Sequence, residues 1–326
     1  MLTPVYNGES YIRECIESVL AQTYENWEFT IVNNCSTDRT REIAEEYARR
    51  DSRIRIFSNA KFVDVIQNHN IAFRQISENS KYCKLVLADD WIFPECIERM
   101  VGLAEAHPTV GIVSAYGLQG RKVVWDGLPY PTEVMSGREI CRRTLLGGEY
   151  VFGNPTTILV RSDLIRRKDA FYDEANLHAD YAICFEVLQQ SDFGFVHQVL
   201  SFARVHEDSI SSFSQDFNSY LLGTLAVLLK YGQTLLTEKE FRDRKNFRMR
   251  LYYQFLAKSA FRLRQREFWD FHRKWMRMLG EPIRPGRLIG SMLGEFGDTL
   301  LHPARFAGIW NWWPRAMSRA RPRRNS

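Results

Sequence analysis

The stretch Trp27–Ala48, WEFTIVNNCSTDRTREIAEEYA, decides the fold. It opens on an apolar run, Phe29, Ile31 and Val32, of the length expected for a buried strand. The run stops at Asn33 and Asn34, and CSTD follows with side chains suited to capping a helix. Ile43, Ala44, Tyr47 and Ala48 then recur at helical spacing. The stretch therefore reads as one strand, one polar loop and one helix.

The same unit repeats on both sides. Upstream, Tyr11, Ile12, Cys15, Ile16, Val19 and Leu20 form a helical stripe that Asn7 is placed to cap. Downstream, RIRIFS (53–58) alternates as a more exposed strand, while YCKLVLA (82–88) and VGIVSAY (110–116) read as buried ones. Ile97, Met100, Val101 and Ala104 give another helix, with Pro94 at its first turn. This repetition predicts an α/β fold, Rossmann-like, with a mostly parallel sheet and helices on both faces. Over 117–215 the pattern is mixed: VVWDG and TTILVRSDLI read as strands, REICRRTLL and HADYAICFEVLQQ as helices. SFARVHEDSISSFS reads as a strand running into a polar loop. From about Asn218 helical patterns take over, so the expected division is a domain over 1–215 and a helical extension over 216–326.

The chain has 326 residues, 45% hydrophobic and 25% charged, enough for a full core. A net charge of +5 is too small to argue for nucleic acid, and no nucleic-acid partner is expected. Six cysteines show no CxxC pair; Cys15, Cys96 and Cys184 lie on apolar helix faces and read as buried thiols of a reducing compartment. No apolar run reaches the roughly 18 residues that span a bilayer, and no leader is read at the start, so a cytoplasmic location is expected. The segment 285–326 ends with Trp310, Trp312 and Trp313 beside Arg315, Arg319, Arg321, Arg323 and Arg324. Tryptophans favour lipid headgroups and arginines anionic lipid, so this segment is expected to touch an anionic membrane surface at the inner face of the plasma membrane.

Ligands of open parallel sheets sit beyond the carboxyl ends of the strands. Three polar clusters should fall there: TPVYNGES (3–10), NNCSTD (33–38) and ADD (88–90). Together they suit a nucleotide-sized ligand. Two adjacent carboxylates, Asp89 and Asp90, close an apolar run, and either mark a strand end before a capped helix or hold a cation. Trp91 either stacks on a sugar or packs under the loop. FGNPTT (152–157) is a weak acceptor-pocket signal. His69, His178 and His197 read as structural, and Arg161 and Arg204 as surface or phosphate-contacting groups. A nucleotidyltransferase would need a glycine-rich basic loop after the first strand, which TPVYNGES lacks.

The run TPVYNGESYIRECIESVLAQTYENWEFTIVNNCSTDRT resembles the opening of the inverting glycosyltransferase family 2, which has the GT-A fold. The likeness is continuous over about 3–108 and patchy to about 212. It implies transfer of a sugar from a nucleotide-sugar donor to a saccharide or lipid-linked acceptor hydroxyl, with inversion, in cell-surface polysaccharide or glycolipid assembly. It also implies a divalent cation, Mg2+ or Mn2+. By position, Pro4, Tyr6 and Asn7 would border the nucleoside, Asn34 would read the base and Asn68 would face the nucleotide. Asp38 ends the S-T-D motif, or serves only as a first-turn helix acid. Asp89 would meet the donor and, with Asp90 and His206, the metal. Asp180, in LHADYAICFEVL, would be the catalytic base. These roles agree with the chemistry: a departing diphosphate needs positive charge, and the attacking hydroxyl needs a base.

The sequence departs from the family pattern in three places. Leu87 stands where the first acid of Asp-x-Asp belongs. Asn33 and Asn34 replace an acidic pair. Only Met1 and Leu2 precede TP, where the family has a full first strand, so that strand is expected to be cut short. These departures keep a catalytically degenerate binding protein as the alternative.

Overall fold

The computed structural model describes residues 1–148, 150–176, 178–205, 217–262 and 264–301. The first half runs β1 (Leu2–Val5), α1 (Ile12–Leu20), β2 (Phe29–Asn33), α2 (Thr40–Ala48), β3 (Ile54–Ser58), α3 (Val65–Phe73), β4 (Tyr82–Cys83), β5 (Trp91–Ile92) and α4 (Cys96–Ala106). There follow β6 (Val110–Gln119), β7 (Lys122–Val124), β8 (Val134–Met135), α5 (Gly137–Leu145), β9 (Leu159–Arg161), α6 (Ser162–Arg166), α7 (Ala179–Val187) and β10 (Asp192–Ala203). Four helices complete the described chain: α8 (Ser219–Leu235), α9 (Glu238–Phe261), α10 (Arg266–Met278) and α11 (Pro285–Leu301).

Strands β1, β2 and β3 pair in parallel, in the order β1-β2-β3. A second sheet runs β4-β9-β6-β10-β5. Leu2 joins the two sheets. Its N–H donates to the Lys84 carbonyl at 2.9 Å, and its own carbonyl accepts the Val86 N–H at 2.9 Å. The second sheet is mixed rather than parallel: β10 runs parallel to β6, whereas β9 is antiparallel to both β4 and β6, and β5 is antiparallel to β10.

Strand alternation sends successive residues to opposite faces. Ile31 packs in a core with Ile12, Ile16, Ile43, Cys96 and Met100, from α1, α2 and α4. Its neighbour Val32 packs in the other core, with Ala72, Ile140, Phe185 and Leu228 from α3, α5, α7 and α8. Helices thus cover both faces, as expected. Cys15, Cys96 and Cys184 are buried, and all six cysteines are free thiols.

Several local expectations change. Thr3–Val5 is strand, not loop, so β1 runs past Leu2; Thr3 Oγ1 secures it by donating to the Val86 carbonyl at 2.6 Å. The run 82–88 forms a two-residue strand and then the Leu2 bridge, because its partners change from β9 to β1 partway along. TTILVRSDLI is strand only to Arg161 and turns helical at Ser162. VVWDG keeps strand form only to Val124, since Trp125 adopts a φ of 62°. Asn7 does not cap α1: it sits at φ 50°, and the helix begins after Tyr11 without a side-chain cap.

The chain divides into two compact units, Met1–Phe241 and Arg242–Ser326. The expected boundary at 215 would leave α8 in the extension, yet α8 packs on α5 and α7 within the first unit. Within the second unit, Met249, Tyr252, Leu256, Phe268 and Met276 are buried, and Tyr252 Oη bonds His272 Nδ1 at 2.7 Å.

Candidate active site

The carboxyl ends of β1 and β2 are laced together by their loops. Asn7 donates its N–H to Ser36 Oγ at 3.0 Å, and its Oδ1 accepts the Thr37 N–H at 2.8 Å. Asp38 accepts the N–H groups of Thr40 and Glu9, each at 3.0 Å, and the Thr40 hydroxyl. The net effect of these bonds holds its carboxyl below the ordinary value against the opposing effect of burial. Its oxygens therefore fix the loop that opens α2. Pro4 is buried within β1. Tyr6 is exposed and meets Phe62 edge to face at 4.7 Å, which leaves two rings on the open side of the loop.

Asn34 is buried and anchors a chain of amides. Its Nδ2 donates to the Val63 carbonyl at 2.8 Å, and its Oδ1 accepts from Val63 N at 3.0 Å and Asn59 Nδ2 at 2.9 Å. Asn59 also donates to Asn68 Oδ1 at 2.9 Å. Asn34 and Asn68 are thus brought together through Asn59, a residue the sequence did not single out. Its own Oδ1 is buried with no protein partner.

The carboxylate pair splits. Asp90 is 3% exposed and turns inward. Its Oδ2 accepts from Thr156 Oγ1 at 2.7 Å and Asn154 Nδ2 at 2.9 Å, and its Oδ1 accepts the Arg204 N–H at 3.0 Å. Burial, with the adjacent Asp89 charge, pushes its carboxyl up to about 6. Arg204 Nε reaches the Asp89 carbonyl at 3.1 Å, and its guanidinium pairs with Glu14 and lies over the Tyr11 ring at 4.8 Å. Asp89 itself is half-buried. Trp91 stacks on Phe202 at 4.9 Å and 13°, so it packs under the loop.

Asp180 stands in the first turn of α7. Burial holds the Tyr150 and Tyr172 hydroxyls well above their usual range, and the Asp180 charge adds to both. Burial pulls His69 down, against a bond to the Val65 carbonyl at 2.6 Å and the Asp180 charge. Helix α3 links this region to the amide chain. Asn68 faces Asn59, His69 lies 5.8 Å from the Tyr172 ring, and Asn70 exchanges two bonds with the Tyr172 backbone. His178 bonds Ser219 Oγ at 3.1 Å, and His197 bonds Tyr116 Oη and the Thr132 carbonyl. Arg161 is held by Asp163 and the Pro108 carbonyl.

His206 lies outside the described residues. Among the described residues no three His, Cys, Asp or Glu side chains converge on a metal-sized point. The donor chemistry still suits a hard cation, because Mg2+ commonly takes one or two carboxylates and completes its shell with phosphate oxygens and water. Of the pair, Asp90 turns inward and its oxygens already serve three protein donors, whereas Asp89 is half-buried.

A parallel edge whose loops carry amides and carboxylates, continued by a mixed sheet, is the architecture of the GT-A glycosyltransferases. Solved GT-A structures superpose on the chain. Residues 1–349 of TarS from S. aureus, solved with UDP, match with a TM-score of 0.61 at 19% identity, over 99% of this chain and 92% of that one. The mannosyltransferase PcManGT from Pyrobaculum calidifontis, solved with GDP-Man and Mn2+, matches at 0.55 and 14%, over 91% and 86%. The family model for Glycosyl transferase family 2 matches residues 1–168, and the chain belongs to that family. Among curated relatives, an uncharacterized glycosyltransferase of Haemophilus influenzae is 29% identical over 64% of this chain, which spans 65% of that protein's length. Glycosyltransferase GlyG of Streptococcus pneumoniae is 26% identical over 78% of this chain and 95% of its own.

Proposed function

We propose that this glycosyltransferase moves a sugar from a nucleotide-sugar donor to an acceptor hydroxyl in one displacement, inverting the anomeric centre. The observation that carries this reading is the placement of Asp180. Beside burial, its charge acts on half-buried Tyr150 and on buried Tyr172 and His69, while α3 connects that region to the Asn34–Asn59–Asn68 chain. In this reading consecutive residues of one helix, Asn68, His69 and Asn70, adjoin the assigned nucleotide site and the assigned base.

In this reading Tyr6 and Phe62 flank the nucleoside, with Pro4 and Asn7 shaping the loop beneath it. Asn34 and Asn68 hold the base pocket in shape through Asn59, and Asp38 fixes the adjoining turn. Asp89 would hold Mg2+ or Mn2+, with Asp90 positioning Asp89 and His206 as a further candidate ligand. The cation, when bound, offsets charge on the leaving diphosphate. Asp180 takes the proton of the attacking hydroxyl as the new bond forms. The acceptor is a saccharide or a lipid-linked glycan of cell-surface polysaccharide or glycolipid assembly. A lipid-borne acceptor brings the enzyme to the inner face of the membrane through 285–326. No helix among the described residues is long and apolar enough to cross a membrane.

Thermal-shift measurements with UDP- and GDP-sugars, with and without Mn2+, test the reading. A donor at 100-fold its Kd should stabilise the fold by about 2.7 kcal/mol. If no donor raises Tm in either condition, the degenerate binding-protein reading takes its place.

A further inference from the structure

Helix α11 presents an apolar ridge outward. Ile289, Leu293 and Phe296 are 56%, 67% and 54% exposed and follow at i, i+4 and i+7, so they share one face. Between Gly286 and Phe296 the only charged side chains are Arg287 and Glu295. Both turn toward α9: Arg287 lies over the Tyr253 ring at 5.6 Å, and Glu295 pairs with Lys258 at 3.7 Å. The outer ridge is left without charge. Gly286, Gly290 and Gly294 border open space, so among the described residues nothing lies against them.

We propose that this face of α11 seats on the surface of an anionic bilayer, an inference that rests on the reading of a membrane-borne acceptor. The chain that follows supplies the complementary charge. Residues 302–326 hold six arginines and no acidic residue, with Trp310, Trp312 and Trp313 among them. An interfacial helix buries its apolar face at the headgroup boundary, and neighbouring cations add attraction to anionic lipid. Neither signal alone gives firm attachment, so the ridge and the basic segment act together.

The test is vesicle co-sedimentation of the full chain, with phosphatidylcholine vesicles with and without phosphatidylglycerol, and no donor or acceptor present. Wild type should pellet with the anionic vesicles and be released by salt. The combined variant Ile289→Ser, Leu293→Ser, Phe296→Ser removes apolar surface without adding charge. It should partition at least about tenfold more weakly while melting at the wild-type temperature. A variant with Arg315, Arg319, Arg321, Arg323 and Arg324 changed to Gln should lose the salt dependence. Undiminished binding of the serine variant overturns the proposal. So does a wild-type dimer that ignores vesicles and that the serine variant dissolves, which would make the ridge a contact between copies. Because no sugar nucleotide enters the assay, failure of the transferase reading leaves its outcome untouched.

Discussion

The Asp90 carboxylate accepts the backbone N–H of Arg204 at 3.0 Å, across 114 residues of chain. The Arg204 side chain returns to the Asp89 carbonyl at 3.1 Å. Asp90 also holds Asn154 and Thr156. One buried carboxylate thus ties two distant segments, 154–156 and 204, to the loop that carries the residue assigned to the cation.

Asp90→Asn should therefore destabilise the protein although it is nearly isosteric. Its amide turns a donor toward groups that are themselves donors, whichever way it flips. An unmatched buried polar group costs about 1–3 kcal/mol. Urea unfolding would read this as a lower midpoint at unchanged slope. An unchanged midpoint would show that the three bonds contribute nothing.

Asp180→Asn should separate chemistry from binding. Loss of a general base typically lowers turnover about 10²–10⁴-fold. The Tm rise induced by a stabilising donor should remain, because Asp180 is assigned to the acceptor proton. Joint loss of both readouts would assign Asp180 to donor binding instead.

His69 predicts an acid limit to stability. Burial lowers its folded value below the ordinary 6.5. A depressed value means that the unfolded chain binds the proton more readily. Stability from neutral His69 is then fully present above about pH 6.5 and lost as pH falls toward the folded value. Thermal melts of His69→Gln should show a flatter fall than wild type below pH 6.5. Parallel curves would place the acid sensitivity elsewhere, and half-buried His178, also lowered by burial, would be next to test.

Much of the fold was legible because strand and helix periods are local properties. Ile31 and Val32 announce a strand buried on both faces, and each enters a different core. The first strand was not legible. Thr3, Pro4 and Val5 carry no alternation, and only pairing with β2, continued from Leu2 where Leu85 bridges the other side, makes them strand. Candidate site residues fared according to how far their partners lay. The motifs mark Asn34 and Asn68, but Asn59, between them in space, has no motif. The inward turn of Asp90 depends on Asn154, Thr156 and Arg204, all distant in sequence. FGNPTT contained two of those partners and gave only a weak signal, since nothing local says what a loop asparagine or threonine will meet.

Asn59 gives a prediction that separates hydrogen bonding from bulk. Its Nδ2 donates to both Asn34 Oδ1 and Asn68 Oδ1, each at 2.9 Å. Asn59→Ala removes both bonds and should cost about 1–3 kcal/mol, since Asn68 Oδ1 is left without that donor. Asn59→Asp keeps the shape but sets a carboxylate against two acceptor oxygens. It should be the worse of the two, although it restores volume that alanine lacks. Donor affinity should fall in the same order, because the amide chain holds the assigned base pocket. Urea midpoints and donor-induced Tm shifts for both variants check the ranking. If aspartate proves as stable as asparagine, the bonds drawn through Asn59 do not hold Asn34 and Asn68 together.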